Sequence, residues 1–289
     1  ALTGNQLGDR LTGFFNAAKA VAADPTSTTP RSALLEQASS VANSLTATGK
    51  ALNNLDADVD ATADNAVATL NTLGASLAKV NEGLGRVTPG SNGAAQLADQ
   101  RDAILDQISA ISDITVTTDS VGRATVKLGN AGGPTFVEAN QAANVTFARG
   151  TDGTVSFALH TQQAVSTVTP NGGALAGVID GAARIADART KLNTIATAFT
   201  DGVNAVQAQG NDLDGKSGAA LFSVGTTPTD ISLSLTDPRG VAAAGAGKGV
   251  RDNSNLANLD ALRTSGAFEA NTTALISSNA STLANRKQV

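Results

Sequence analysis

Apolar residues recur along this chain at the three- and four-residue spacings of amphipathic helices. The first pattern runs from Leu7 to Ala23 and should end at Asp24-Pro25, because proline disfavours helical backbone in the residue before it. Longer helical patterns are predicted from Pro30 to about Leu84, from Leu97 to about Ser112 and from about Leu175 to Gln209. The segments after Ser254 have only a weak helical pattern.

A seven-residue repeat marks the longest of these patterns. About fifty residues at ~1.5 Å each would form a rod of roughly 75 Å, which needs packing partners along its length. Gly49 and Gly74 interrupt an alanine-rich stripe, which favours bundling within the chain over a coiled coil between chains and leaves both open. The candidate helix-packing or assembly stripe comprises Leu45, Leu52, Leu55, Val59, Leu70, Leu73, Leu77, Leu192, Ile195, Phe199 and Val203.

Between the third and fourth helical patterns the apolar period changes from helical to alternating, which is typical of β-strands. Short strands are predicted at Ile114–Thr117, Ala124–Leu128, Thr135–Ala139, Asn144–Ala148, Thr154–Leu159 and Val165–Val168. A further strand is predicted at Ile231–Leu235, followed by a Gly/Ala-rich loop at Gly240–Gly249.

These patterns predict an α+β fold that is mainly α: an elongated bundle of long helices with a small inserted antiparallel β-subdomain. Residues 1–112 should form a helical rod, joined by residues 175–209 and 250–289 into one discontinuous helical domain. Residues 113–174 should form the β-subdomain. Residues 210–249 should hold a polar turn, short strands and the Gly/Ala-rich loop.

Gly210–Ser217 matches the phosphate-binding pattern G-x-x-x-x-G-K-[ST]. Such a loop needs a strand entering and a helix leaving, so that backbone N–H groups converge on the phosphates. Here the entering segment has helical spacing, the leaving segment is too short for a helix, and Asp212 and Asp214 would repel an anion. A calcium loop fails as well, because its first and twelfth positions would be Gly210 and Leu221. We therefore interpret the motif as a polar turn after a long helix.

The composition limits the possible chemistry. The chain has no Cys and a single His, and its 20 basic and 25 acidic residues form no basic cluster. His160 lies in an alternating run and is expected to be a surface strand residue; a Ser–His–Asp triad stays formally open, but no G-x-S-x-G motif accompanies it. No stretch approaches the ~18 apolar residues of a membrane span. We expect no catalytic, cofactor-binding or metal-binding residue, and neither nucleic-acid nor membrane partners.

Four sequence blocks carry a resemblance to a known family. They are Phe14–Ala17 through Pro25 with Arg31–Ala38, Leu97–Ile108 with Thr115–Thr117, Leu192–Val224, and Asp252–Asn255 with Leu256 and Leu259. In this order and spacing the chain resembles the flagellar hook-associated protein family, in particular its members at the hook–filament junction. The blocks are spread over nearly the whole chain.

The resemblance implies a secreted, extracellular structural protein of the bacterial flagellum and not an enzyme. Family members are exported unfolded through the type III channel, and an export chaperone is implied for the full-length chain. The expected partners are further copies of the chain, the hook protein and the adjacent junction protein. The family's start motif and terminal helices are missing, so we expect a fragment that lacks both terminal helical segments. A flagellin or another axial subunit is the alternative, and a phosphate-loop nucleotide-binding enzyme is a remote one.

Overall fold

The computed structural model describes residues 5–286 of the chain, with side chains described for residues 7–277. Helices dominate this part, which confirms the predicted α+β, mainly α fold class. The helices are α1 (Asn5–Ala23), α2 (Thr28–Leu84), α3 (Asn92–Ile111), α4 (Gly173–Gln209), α5 (Leu256–Gly266) and α6 (Phe268–Arg286). A short 3-10 helix spans Pro238–Gly240.

All the strand pairs of the described residues are antiparallel. One sheet has the order β1-β2-β3-β4, formed by Ile114–Thr118, Ala124–Leu128, Thr135–Glu138 and Gln141–Ala142. A second has the order β5-β6-β7, formed by Asn144–Arg149, Val155–His160 and Val165–Val168. Two small ribbons pair β8 (Gly210–Asn211) with β11 (Ala244–Gly245), and β9 (Phe222–Val224) with β10 (Ile231–Leu233).

The chain divides into two compact units. Unit 1 holds the described residues up to Asn53 and from Asp187 onward, and unit 2 holds Asn54–Ala186. The helices α2 and α4 therefore contribute one part to each unit.

The core of unit 1 is centred on a cluster of phenylalanine rings. Phe14 and Phe15 of α1 lie against Phe199 of α4, with ring centroids 5.2 and 6.2 Å away. Phe222 and Phe268 complete the cluster, at 5.5 and 5.6 Å from Phe199. The rings meet mostly edge-on or tilted, which is the favourable geometry for aromatic pairs. Five of the chain's eight Phe residues are thus used to hold α1, α4, β9 and α6 together.

In unit 2, both sheets pack on one face of α2. The central strand residues Val126, Val137 and Phe157 are almost fully buried in this core, together with Leu70 and Leu77 of the helix. The two glycines that interrupt the predicted stripe do not end the helix. A side chain at Gly74 would clash with the ring of Phe136, and one at Gly49 in unit 1 would clash with Thr229. Each glycine therefore marks a close approach to the helix, which the sequence pattern alone presented as a weakness.

Candidate assembly site

The candidate stripe is mostly part of the chain's own core. Leu55 is 41% exposed, Val59 and Leu73 are half-buried, and the other members are buried. The buried members are Leu45, Leu52, Leu70, Leu77, Leu192, Ile195, Phe199 and Val203. Buried side chains are already occupied by intrachain packing, so Leu55 is the stripe residue most accessible to a second molecule.

The buried face of α2 follows seven-residue spacing in each unit, but not as one continuous repeat. In unit 1 it includes Leu45 and Leu52, and in unit 2 it continues at Ala63, Leu70 and Leu77. The step from Leu52 to Ala63 is eleven residues instead of seven or fourteen. Within unit 2 the stripe is therefore divided, with Leu70 and Leu77 buried, Val59 and Leu73 half-buried and Leu55 exposed.

The Gly210–Ser217 segment folds as a turn that closes on its own hydrogen bonds. The carboxylate of Asp212 accepts from the backbone N–H groups of Asp214 and Lys216, at 2.8 and 2.9 Å. The backbone N–H of Asp212 donates to the Lys216 carbonyl, and that of Gly215 donates to the Asp212 carbonyl. The Leu213 N–H donates to the Arg239 carbonyl at 3.0 Å. The N–H groups that a phosphate would need are therefore already bonded.

The surroundings of the turn also differ from a phosphate loop. The helix α4 enters it, the short ribbon β8·β11 lies at its base, and no helix leaves it. Arg239 forms an ion pair with Asp214, and this hydrogen bond holds the pKa of the Asp214 carboxyl below its ordinary value. The same contact raises the pKa of the Arg239 guanidinium. The segment is a polar turn whose backbone groups are hydrogen-bonded within the turn and to Arg239.

A buried polar cluster fastens the segment after this turn to the helices of unit 1. Arg31 is 1% exposed, and its guanidinium donates to the backbone carbonyls of Pro25, Pro238 and Val241. Burial lowers the pKa of this guanidinium. No carboxylate of the described residues forms an ion pair with Arg31. The cation is instead stabilised by carbonyl dipoles, which its planar fork reaches simultaneously.

Two amide side chains complete the cluster. Gln207 of α4 donates to the Gly240 carbonyl at 2.9 Å and accepts from the Ala242 N–H at 3.0 Å. Asn255 donates to the carbonyls of Val206 and Ala242, both at 2.8 Å. The segment Val241–Ala244, which the sequence pattern placed in a Gly/Ala-rich loop, is fully buried as a result. Its alanines are small enough to pack closely, and the amides satisfy its backbone.

Unit 2 uses the same device on α2. Asn81 accepts from the Ala124 N–H at 2.8 Å and donates to the carbonyls of Ala124 and Ala139, at 2.7 and 2.9 Å. Asn71 accepts from the Val145 N–H at 2.8 Å and donates to the carbonyl of the same residue at 2.9 Å. Each amide thus pairs with both backbone groups of one strand residue, as a neighbouring strand would. The apolar pattern of the sequence does not identify these two amides. Their only signal is helical spacing, since Asn71 lies three residues before Gly74 and Asn81 lies four residues after Leu77.

His160, the single histidine of the chain, has a structural contact. His160 ends β6, is half-buried, and its Nε2 lies 2.9 Å from Thr146 Oγ1. The described residues contain no group of three His, Asp or Glu side chains placed to hold a metal ion. Over the same residues no helix is long and apolar enough to cross a membrane.

Comparison with known proteins gives a consistent result. Residues 1–222 match the family model described as the flagellar hook-associated protein FlgK helical domain. Flagellar hook-associated protein 1 of Salmonella typhimurium strain LT2 is 26% identical over 231 residues, which are 77% of this chain and 41% of that protein. The protein of the same name from Salmonella typhi has the same identity and coverage. This chain therefore spans about two fifths of the length of these relatives.

A solved structure shares the fold. The flagellar hook junction protein FlgK from Burkholderia pseudomallei superposes with a TM-score of 0.67 at 23% sequence identity. The match covers 76% of this chain and 41% of that one.

Proposed function

We propose, because this chain belongs to the flagellar hook-associated protein FlgK family, that it is a non-catalytic structural part of the bacterial flagellum at the junction between hook and filament. The observation that carries the proposal is the match of residues 1–222 to the helical domain of that family. The two curated relatives bear the name of flagellar hook-associated protein 1, and they support the same assignment.

The internal contacts of the chain are consistent with a structural role. Its buried polar groups are used to fasten strands and loops to the long helices, and among the described side chains no buried nitrogen or oxygen lacks a hydrogen-bond partner. In the Gly210–Ser217 turn, which carries the nucleotide motif, backbone N–H groups are hydrogen-bonded within the turn and to the Arg239 carbonyl. A protein that connects two other assemblies needs a stable, fixed shape.

We further propose that the full-length protein is secreted by the flagellar export route with the help of a chaperone and forms a homo-oligomeric layer. That layer would contact the hook protein on one side and the adjacent junction protein on the other. Leu55 and the exposed faces of α2 and α4 are the candidate contact residues within this chain.

Deletion of the gene that encodes this chain, in the bacterium that carries it, tests the proposal. We expect cells that retain hooks, lack filaments and release the filament subunit into the medium, because the filament would have nothing to be seated on. Complementation with the full-length gene should restore filaments, and a Lys216→Ala variant should do so equally well. Normal filaments in the deletion strain would contradict the proposed function.

A further inference from the structure

In the described part of unit 2 the two sheets end at β1 and β4 and at β5 and β7, and each of these strands has an edge without a partner strand. β1 pairs only with β2, and β7 pairs only with β6. At the ends of β1, the Gly129 N–H donates to the Asp113 carbonyl and the Asp119 N–H donates to the Arg123 carbonyl. Backbone groups of an antiparallel strand point alternately toward and away from the partner. The N–H and C=O groups of Ile114, Val116 and Thr118 therefore point away from β2.

The same reasoning applies to β7. The Thr161 N–H donates to the Ala164 carbonyl at 2.9 Å, which sets the alternation in the β6–β7 hairpin. The backbone groups of Val165 and Thr167 then point away from β6. In the described part of the chain, no hydrogen bond reaches the outward backbone groups of either strand.

The other two edges of unit 2 are less suited to pairing, since β4 has only two residues and the β5 edge carries the charged Arg149. The outward groups of Val145 on β5 are bound by Asn71, and those of Ala124 beyond the end of β3 are bound by Asn81. By contrast, β1 has the sequence Ile-Thr-Val-Thr-Thr, with no charge and no proline within it, and β7 has Val-Ser-Thr-Val. Proteins commonly use charges or proline to prevent edge pairing, and neither strand contains them.

The exposed valines of the sheets lie at these outward positions. Val116 of β1 is 36% exposed and Val165 of β7 is 64% exposed. They are the exposed large hydrophobic residues that the described strands of unit 2 contain. An antiparallel pairing of β1 with β7 of another molecule can place these two valines directly opposite each other, with Ile114 opposite Thr167. Both pairs would then exchange backbone hydrogen bonds.

We propose that the β1 edge of one copy of this chain pairs with the β7 edge of a second copy, as a lateral contact of the homo-oligomer. This contact rests on the proposed function, in which copies of the chain form a layer. A head-to-tail contact between two unlike edges generates a ring or a helical layer. Self-pairing of two β1 edges about Val116 is less favourable, because Asp113 would face the Asp119 of the other copy. In the sequence, β7 is flanked by the uncharged residues Gln162, Gln163 and Ala164 on one side and Thr169, Pro170 and Asn171 on the other.

The faces of the two sheets agree with this pairing. The side chain of Val116 is on the face that carries the buried Val126, whereas that of Val165 is opposite to the buried Leu159. A joined sheet would therefore carry the unit 2 cores of the two copies on opposite faces. A single strand pair with two hydrogen-bonded residue pairs is a small contact, which must act together with other contacts of the layer.

Cysteine trapping tests the contact directly, because the natural chain has no Cys. Val116→Cys and Val165→Cys proteins are mixed and oxidised mildly. Hydrogen-bonded antiparallel partners have Cα atoms about 5.5 Å apart, which suits a disulfide. We expect the mixture to cross-link about tenfold faster than either variant alone, because pairing raises the effective concentration of the two thiols. The double variant should form a ladder of multimers.

Two controls define the result. Thr117→Cys is exposed on the same strand but points to the other face, and Val224→Cys is exposed on β9 of unit 1; neither should cross-link rapidly with Val165→Cys. Equal rates for the mixture and these controls would overturn the proposal. Rapid cross-linking of Val116→Cys alone would also overturn it, in favour of β1 self-pairing. In either case the gene-deletion phenotype would still decide the proposed function independently.

Discussion

Asn81 gives the sharpest test of how unit 2 is held together. It is fully buried, and its amide forms three hydrogen bonds to the backbone of Ala124 and Ala139. Asn81→Ala removes all three and leaves one N–H and two carbonyls without these bonds. Each buried unsatisfied group costs about 1–3 kcal/mol. If water reaches one of the three, we expect a loss of about 2–6 kcal/mol in the free energy of unfolding.

Urea unfolding followed by far-ultraviolet circular dichroism measures this loss, since the chain has no Trp or Tyr for fluorescence. Hydrogen exchange of residues 124–138 locates it, because these strand amides should lose protection first. Asn65→Ala is the matched control on an exposed position of α2 and should change stability by no more than about 0.5 kcal/mol.

Asn81→Asp separates the hydrogen bonds from side-chain volume. The carboxylate can still accept from Ala124, but it faces two carbonyls to which it cannot donate. A buried carboxyl in this position should have a raised pKa, so the variant should regain stability as the pH falls below that raised value and the neutral acid donates one bond. The reasoning is refuted if Asn81→Ala and Asn65→Ala are equally stable.

Three further predictions concern unit 1. Arg31→Lys keeps the charge but loses the fork that reaches three carbonyls, and urea unfolding should show a loss of about 2–4 kcal/mol; unchanged stability would contradict this role. Lys216→Ala should alter stability by at most about 0.5 kcal/mol, and calorimetric titration of both proteins with magnesium-ATP should be flat. The pKa of Asp214 is lowered by Arg239, so its stabilising contribution is present above the ordinary carboxyl pKa and lost as the pH falls through the lowered value. Acid unfolding of Asp214→Asn should lack that contribution, and identical acid curves would exclude it.

The sequence predicted the main elements because their apolar periods are strong. The helix α2 and the strand Val165–Val168 were located closely, since each has a clear pattern and marked ends. The burial of Val241–Ala244 could not be predicted, because it depends on hydrogen bonds to the side chains of Gln207 and Asn255. These two residues lie outside the segment, and the apolar pattern does not connect them to it. Periodicity reports which face is apolar and does not identify the polar groups that satisfy a buried backbone.

The candidate stripe shows the same limit. Its residues were chosen because a long apolar repeat must pack on something, and the sequence could not distinguish intrachain packing from contacts between copies. The structure assigns most of them to the chain's own core and leaves Leu55 exposed. The open edges of β1 and β7 were equally hidden, because strand order and the direction of backbone groups follow from tertiary structure and not from alternation alone.

Immunogold electron microscopy of isolated flagella tests the central claim most directly. An antibody raised against this chain should label a single narrow band where the hook meets the filament, and the same antibody should give no band on flagella from the deletion strain. Label distributed along the filament would contradict the junction assignment and identify a filament subunit instead. Absence of label from intact flagella and from exposed hook ends would contradict a flagellar role altogether.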